Sequence, residues 1–85
     1  MMEKMINSYV NKLTKNDIIK FADRNNITLT NDEIDIIFNT IKKDWQDLLH
    51  NPNKVFNNIK SKVSLNTYNN IIYFYDLYSK KLYLR

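Results

Sequence analysis

None of the 85 residues is glycine, and Pro52 is the single proline. Short hairpin turns prefer Asn-Gly or another glycine pair, so a chain without glycine makes them poorly. It also lacks P-loops and dinucleotide-binding turns, whose backbones need glycine to approach a phosphate. Its turns and helix ends must be built from Asn, Ser, Thr and one Pro.

The remaining composition narrows the chemistry further. Cysteine is absent, which excludes a disulfide framework, cysteine-based zinc sites and thiol catalysis. A single histidine, His50, leaves few routes to a catalytic triad or a histidine-rich metal site. A chain of 10.3 kDa exposes about 14,900 Å² unfolded and about 5,400 Å² folded, burying roughly 64%. That supports one modest core, a single domain over 1–85. With 44% hydrophobic and 26% charged residues the chain is globular in type.

Charge is uneven along the chain. Residues 1–47 carry seven basic and eight acidic side chains, whereas residues 48–85 carry six basic and one acidic. Lys54, Lys60, Lys62, Lys80 and Lys81 form a candidate surface for nucleic acid or another anion. The ordinary alternative is a solvated lysine-rich face. The first residues, Met1 to Asn7, contain no apolar signal-peptide core, and the run Ile71 to Tyr75 is far too short to span a membrane. A bacterial cytoplasmic protein is expected.

Helical spacing runs through most of the chain. Residues 2–13 place Met2, Met5, Ile6, Tyr9, Val10 and Leu13 on one face. Thr14 reads as an N-cap paired with Asp17, opening a helix over about 15–25 that buries Ile18, Phe21 and Ala22, with Ile19 at its margin. Asn25-Asn26 can end it, because Asn tolerates the left-handed conformation. Ile27 to Leu29 is a short extended linker. Thr30 and Glu33 form a capping box, with Leu29 and Ile34 placed as a hydrophobic staple.

The third helix runs to about His50, where Asn51 precedes Pro52. Pro52 suits the first position of a fourth helix capped by Asn51, with Val55, Phe56, Ile59 and Val63 inward and Lys54, Asn58 and Lys62 outward. Ser64 caps the last segment, 65–83, whose inner face would be Leu65, Tyr68, Ile71, Ile72, Tyr75, Tyr78 and Leu82. The β-branched and aromatic run within it allows a second reading, a C-terminal hairpin over 71–84 in an α+β fold. The serine cap, the helical context and the missing glycine favour helix.

The motifs that carry chemistry are few. Asp44, Asp47 and His50 stand three apart, but a di-metal bundle site needs a second Asp/Glu-x-x-His step and further carboxylates. Asp23-Arg24-Asn25-Asn26 fails as a calcium loop at Ile27, Thr28 and Ile34. A helix-turn-helix reading would aim Asp32, Glu33 and Asp35 at phosphates. No catalytic, cofactor-binding or metal-binding residues are assigned, and no cofactor or enzymatic activity is expected. Six Tyr, four Phe and one Trp can fill a five-helix core economically, or leave a surplus that forms an exposed aromatic patch. Tyr73, Phe74, Leu77 and Tyr78 form the candidate partner surface, with Ile36 also surplus.

The stretch Leu13-Thr14-x-x-Asp17-Ile18-Ile19-Lys20-Phe21-Ala22, followed by Asn26-Ile27-Thr28-Leu29-Thr30-x-x-Glu33 and later Val63-Ser64-x-x-Thr67, resembles the YqfT-like proteins. These are small Gram-positive bacterial proteins of unknown function. The resemblance implies a short cytoplasmic helical protein with no catalytic or binding residues to carry over. Asp44-Trp45-Gln46-Asp47 and the aromatic run 71–78 depart from the pattern.

The expected fold is all-α, a single-domain bundle of four or five short helices around the third, with Trp45, Phe38, Ile41, Phe56, Ile59, Ile72 and Tyr75 in the core. The expected function is a non-enzymatic protein-interaction or structural module that pairs with a partner protein or itself. The alternative is nucleic-acid binding through the basic C-terminal half.

Overall fold

A computed structural model describes the backbone of residues 2–83 and the side chains of residues 4–77. The described chain is five helices without a strand: α1 Met2–Lys12, α2 Lys15–Arg24, α3 Asn31–His50, α4 Pro52–Ile59 and α5 Leu65–Tyr83. The hairpin alternative is therefore overturned over its described part, since residues 71–83 continue α5. A serine cap and uninterrupted helical hydrogen bonding outweigh the strand propensity of Ile71, Ile72 and Tyr73.

The expected punctuation is present. Thr14 and Asp17 exchange both capping-box bonds, with Thr14 N–H donating to Asp17 Oδ2 at 3.0 Å and Asp17 N–H to Thr14 Oγ1 at 3.2 Å. At the other end of α2, Asn26 stands at φ 57. The Ile27 amide donates to the Ala22 carbonyl at 2.9 Å and the Asn26 amide to that of Asp23 at 3.3 Å. This is the Schellman closure, with asparagine where glycine is usual. The Asn25 side-chain amide donates to the Phe21 carbonyl at 2.8 Å as well.

α3 lies against α1, α2 and α4. Its helical geometry breaks at Asp44, where φ is −115 and ψ is 18, a residue type that forms helix poorly because its side chain competes for nearby backbone groups. Asn51 ends α3 and starts α4 at once: its amide donates to the Asp47 carbonyl at 2.6 Å, and its carbonyl accepts from the Lys54 amide at 3.2 Å. The Asn51 side chain makes no cap bond, contrary to expectation. Pro52 removes one amide that would need an acceptor.

The buried apolar residues are Val10, Ile18, Ala22, Ile34, Val55, Phe56 and Ile59. Phe56 and Ile59 match the expected core. Phe38, Ile41, Trp45, Ile72 and Tyr75 are half-buried instead. Five short helices have too little volume to enclose every large ring. Phe38 stays at the rim, where the Lys42 and Lys15 ammonium groups lie 5.5 and 5.7 Å from its centroid. Met5 and Tyr9, expected inward, are 60% and 75% exposed, and Leu65 is 72% exposed at the first position of α5. Among the described residues, no helix is long and apolar enough to cross a membrane.

Replacing Asn26 isolates the left-handed position. Asn26→Ala should cost about 1 kcal/mol in urea unfolding, whereas Asn26→Gly should leave stability unchanged or raise it slightly. Equal losses for both variants would mean that the asparagine side chain, not its backbone conformation, closes α2.

Candidate functional site

α2 and α5 approach across one side of the molecule without closing on each other. Between them lies an open groove of about 960 Å³. Ile18, Phe21 and Ala22 of α2 form one wall, and Ile71 and Phe74 of α5 the other. Ile37 and Ile41 of α3 contribute to the lining, together with Ile27 and Leu29 from the linker that follows α2. Tyr9 and Leu13, at the end of α1, also border it. The charged side chains on this lining are one Asp and one Arg, Asp17 and Arg24.

The walls are tied by an edge-to-face contact. Phe74 meets Phe21 with centroids 5.1 Å apart and planes at 82°. Tyr73 meets Phe74 edge-to-face in turn, at 5.0 Å and 81°. A second hollow of about 690 Å³ shares Tyr9, Leu13, Asp17, Arg24 and Ile41 with the groove and adds Lys12, Lys20 and Asp23.

Thr67 also lines the groove, and its surroundings hold the main electrostatic feature. Thr67 is 1% exposed and Glu33 only 7%. Glu33 Oε1 accepts the Thr30 amide at 3.1 Å, and the Glu33 amide donates to Thr30 Oγ1 at 3.1 Å, completing the expected capping box of α3. The other carboxylate oxygen, Oε2, accepts the Ser64 amide at 2.8 Å. Ser64 in turn caps α5, its Oγ accepting the Thr67 amide at 3.1 Å and donating to Thr67 Oγ1 at 3.0 Å. One carboxylate thus serves the starts of two helices.

Burial pushes the Glu33 carboxyl up, but the Ser64 and Thr30 amides, helped by the Thr67 and Ser64 hydroxyls, more than offset it and hold the group below its ordinary 4.5. Its bonds leave it occupied as an acceptor.

Two further side chains reach across to helix ends. Lys42 of α3 donates through Nζ to the carbonyls of Val10 and, at 3.2 Å, Asn11, in the last turn of α1. Tyr75 of α5 donates its hydroxyl to the Leu48 carbonyl near the end of α3 at 2.7 Å, while its ring meets Phe56 edge-on at 5.1 Å. Neither link was evident from spacing. The buried side-chain polar atoms among the described residues all have hydrogen-bond partners.

The predicted partner surface divides. Tyr73 is 61% exposed and Leu77 38% exposed. Phe74 is half-buried, packs against Phe21 so that it joins α5 to α2, and lines the groove. Ile36 is likewise half-buried. The Tyr78 side chain lies outside the described residues.

Of the predicted anion surface, Lys54, Lys60 and Lys62 are exposed. Lys54 pairs with Asp47 at 3.8 Å, and the Lys60 ammonium stands 5.8 Å from the Tyr68 ring centroid. These three lysines line neither hollow. The Lys80 and Lys81 side chains are outside the described residues. No group of three or more His, Asp or Glu among the described residues could hold a metal ion, Asp44, Asp47 and His50 included.

A protein family described as being of unknown function, DUF2624, matches residues 1–76. The chain belongs to the DUF2624 family. The match spans the groove lining and Glu33 and ends one residue before Leu77. No curated protein and no solved structure matches the chain.

The sign of the Glu33 effect is testable. A carboxyl with a lowered folded-state pKa contributes stability that is present above its unfolded value and lost as pH falls through the folded one. Urea midpoints should therefore drop below about pH 4.5, and this component should be missing in Glu33→Gln. Glu33→Ala, which strips the acceptor from two helix starts, should cost about 2 kcal/mol at neutral pH.

Proposed function

We propose that this DUF2624 protein is a non-enzymatic protein-interaction module of the bacterial cytoplasm, and that the groove between α2 and α5 is where a partner protein docks. The groove carries the reading. It is open, largely apolar, about 960 Å³ in volume, and lined by Phe21, Phe74 and a set of isoleucines. Tyr9 borders it at 75% exposure, and Tyr73, 61% exposed, meets its Phe74 wall edge-to-face. Exposed aromatics beside an apolar cleft are the composition of interface centres, where large rings supply contact area with few rotatable bonds.

An enzymatic reading has less support. Glu33 is held as an acceptor by two helix starts and has no spare role in proton transfer. Its neighbours Ser64 and Thr67 bond each other and backbone amides. The likeness to YqfT-like proteins agrees with this reading, since it too rests on caps and apolar positions. The nucleic-acid alternative would use Lys54 and Lys60, which already face Asp47 and Tyr68, and no feature of the groove favours it.

The test is site-specific photo-crosslinking in cells. A photoreactive residue at Tyr9 or Tyr73 should yield protein adducts of defined mass, and one at Lys62, away from the groove, should not. Adducts no stronger at the two groove positions than at Lys62 would refute the proposal.

A further inference from the structure

We infer that the partner seated on this groove is a second copy of the same chain, in a two-fold symmetric dimer. The inference rests on the docking role proposed above and names its occupant. Two observations favour self-pairing, one from the charges at the rim and one from the shape of the apolar surface.

In a two-fold interface the same patch meets itself, so a rim of one sign would repel its copy and a rim of mixed sign can attract it. This rim is mixed. Lys20, Asp23 and Arg24 stand exposed on the C-terminal half of α2, all three beside the smaller hollow that adjoins the groove. None of the three makes an ion pair among the described residues, whereas Lys15 is paired with Asp35 at 2.8 Å and Lys54 with Asp47. A two-fold axis near this end of α2 would bring Asp23 of one copy toward the cationic pair of the other. A strongly acidic partner would meet Asp17 and Asp23, and a strongly basic one Lys20 and Arg24. The chain's basic excess lies in residues 48–85, and the described lysines of that half line neither hollow.

A two-fold contact also needs a surface that fits its own copy. The exposed apolar side chains beside the groove suit such a contact. Tyr73 projects next to Phe74, and Leu77 follows one turn later on α5, so a ridge lies alongside a cleft. Ridge and cleft on one surface are what a self-complementary interface requires.

The experiment uses sedimentation of the full chain from micromolar concentration to about 100 µM. The wild type should sediment as a dimer, and Tyr73→Glu should weaken association at least about tenfold with an unchanged circular-dichroism spectrum. Charge variants then test the rim without touching the core. Lys20→Glu with Arg24→Glu makes the C-terminal half of α2 wholly acidic, and Asp23→Lys makes it wholly basic. Each variant alone should be monomeric, and mixing the two should restore a dimer.

A wild type that stays monomeric throughout would overturn the inference, as would a dimer indifferent to both Tyr73→Glu and the rim variants. Failure here is separable from failure of the docking proposal. A monomer whose Tyr73 crosslinks in cells to a different protein removes self-pairing and keeps the groove as a docking site. A monomer without groove adducts removes both.

Discussion

A helix leaves amides at its start and carbonyls at its end without internal partners, and in this molecule neighbouring helices supply many of the missing ones. Glu33 gives one carboxylate oxygen to the start of α3 and the other to the start of α5. Lys42 of α3 closes the end of α1, and Tyr75 of α5 bonds a carbonyl near the end of α3. A chain without glycine cannot rely on the usual left-handed glycine to turn its helix ends back. It does so locally at Asn26, and elsewhere with long side chains from other helices. Capping and tertiary packing are therefore partly the same interactions, and the position of α5 depends on them.

This arrangement accounts for the groove. α5 is anchored to α3 at both ends of the contact, at Ser64 by Glu33 and at Leu48 by Tyr75. Its link to α2 is lighter, an aromatic contact between Phe74 and Phe21. The face of α5 toward α3 and α4 is held by hydrogen bonds and the Phe56 ring, while the face toward α2 leaves a cleft. Of the exposed large side chains, Tyr9 borders that cleft and Tyr73 contacts its Phe74 wall.

Sequence reasoning reached the features whose causes are local. Thr14, Thr30 and Ser64 cap helices through partners three residues away, a spacing visible in the chain itself. Asn26 is legible for the same reason, as the residue type that best replaces glycine at positive φ. The groove was not legible, because it depends on the distance between two helices that are far apart in sequence. Nor were the Lys42 and Tyr75 links, which join residues about 30 apart and leave no mark in spacing or composition. The contact of Phe74 with α2 was not legible for a related reason. Periodicity puts it off the main stripe of α5, and only the position of Phe21 gives α5 a second apolar face. The break at Asp44 follows from a poor helix former inside an otherwise continuous pattern, a weak signal until the backbone is seen.

The shared carboxylate also links a local bond to a distant one. The box between Thr30 and Glu33 joins residues three apart, whereas the Ser64 amide comes from 31 residues further along the chain. Starting a helix is its costly step, since several residues must be ordered before the first hydrogen bond repays them. In the folded chain one ionised side chain meets part of that cost for both segments. Because both starts draw on one carboxylate, removing it takes an acceptor from the third helix and from the last together.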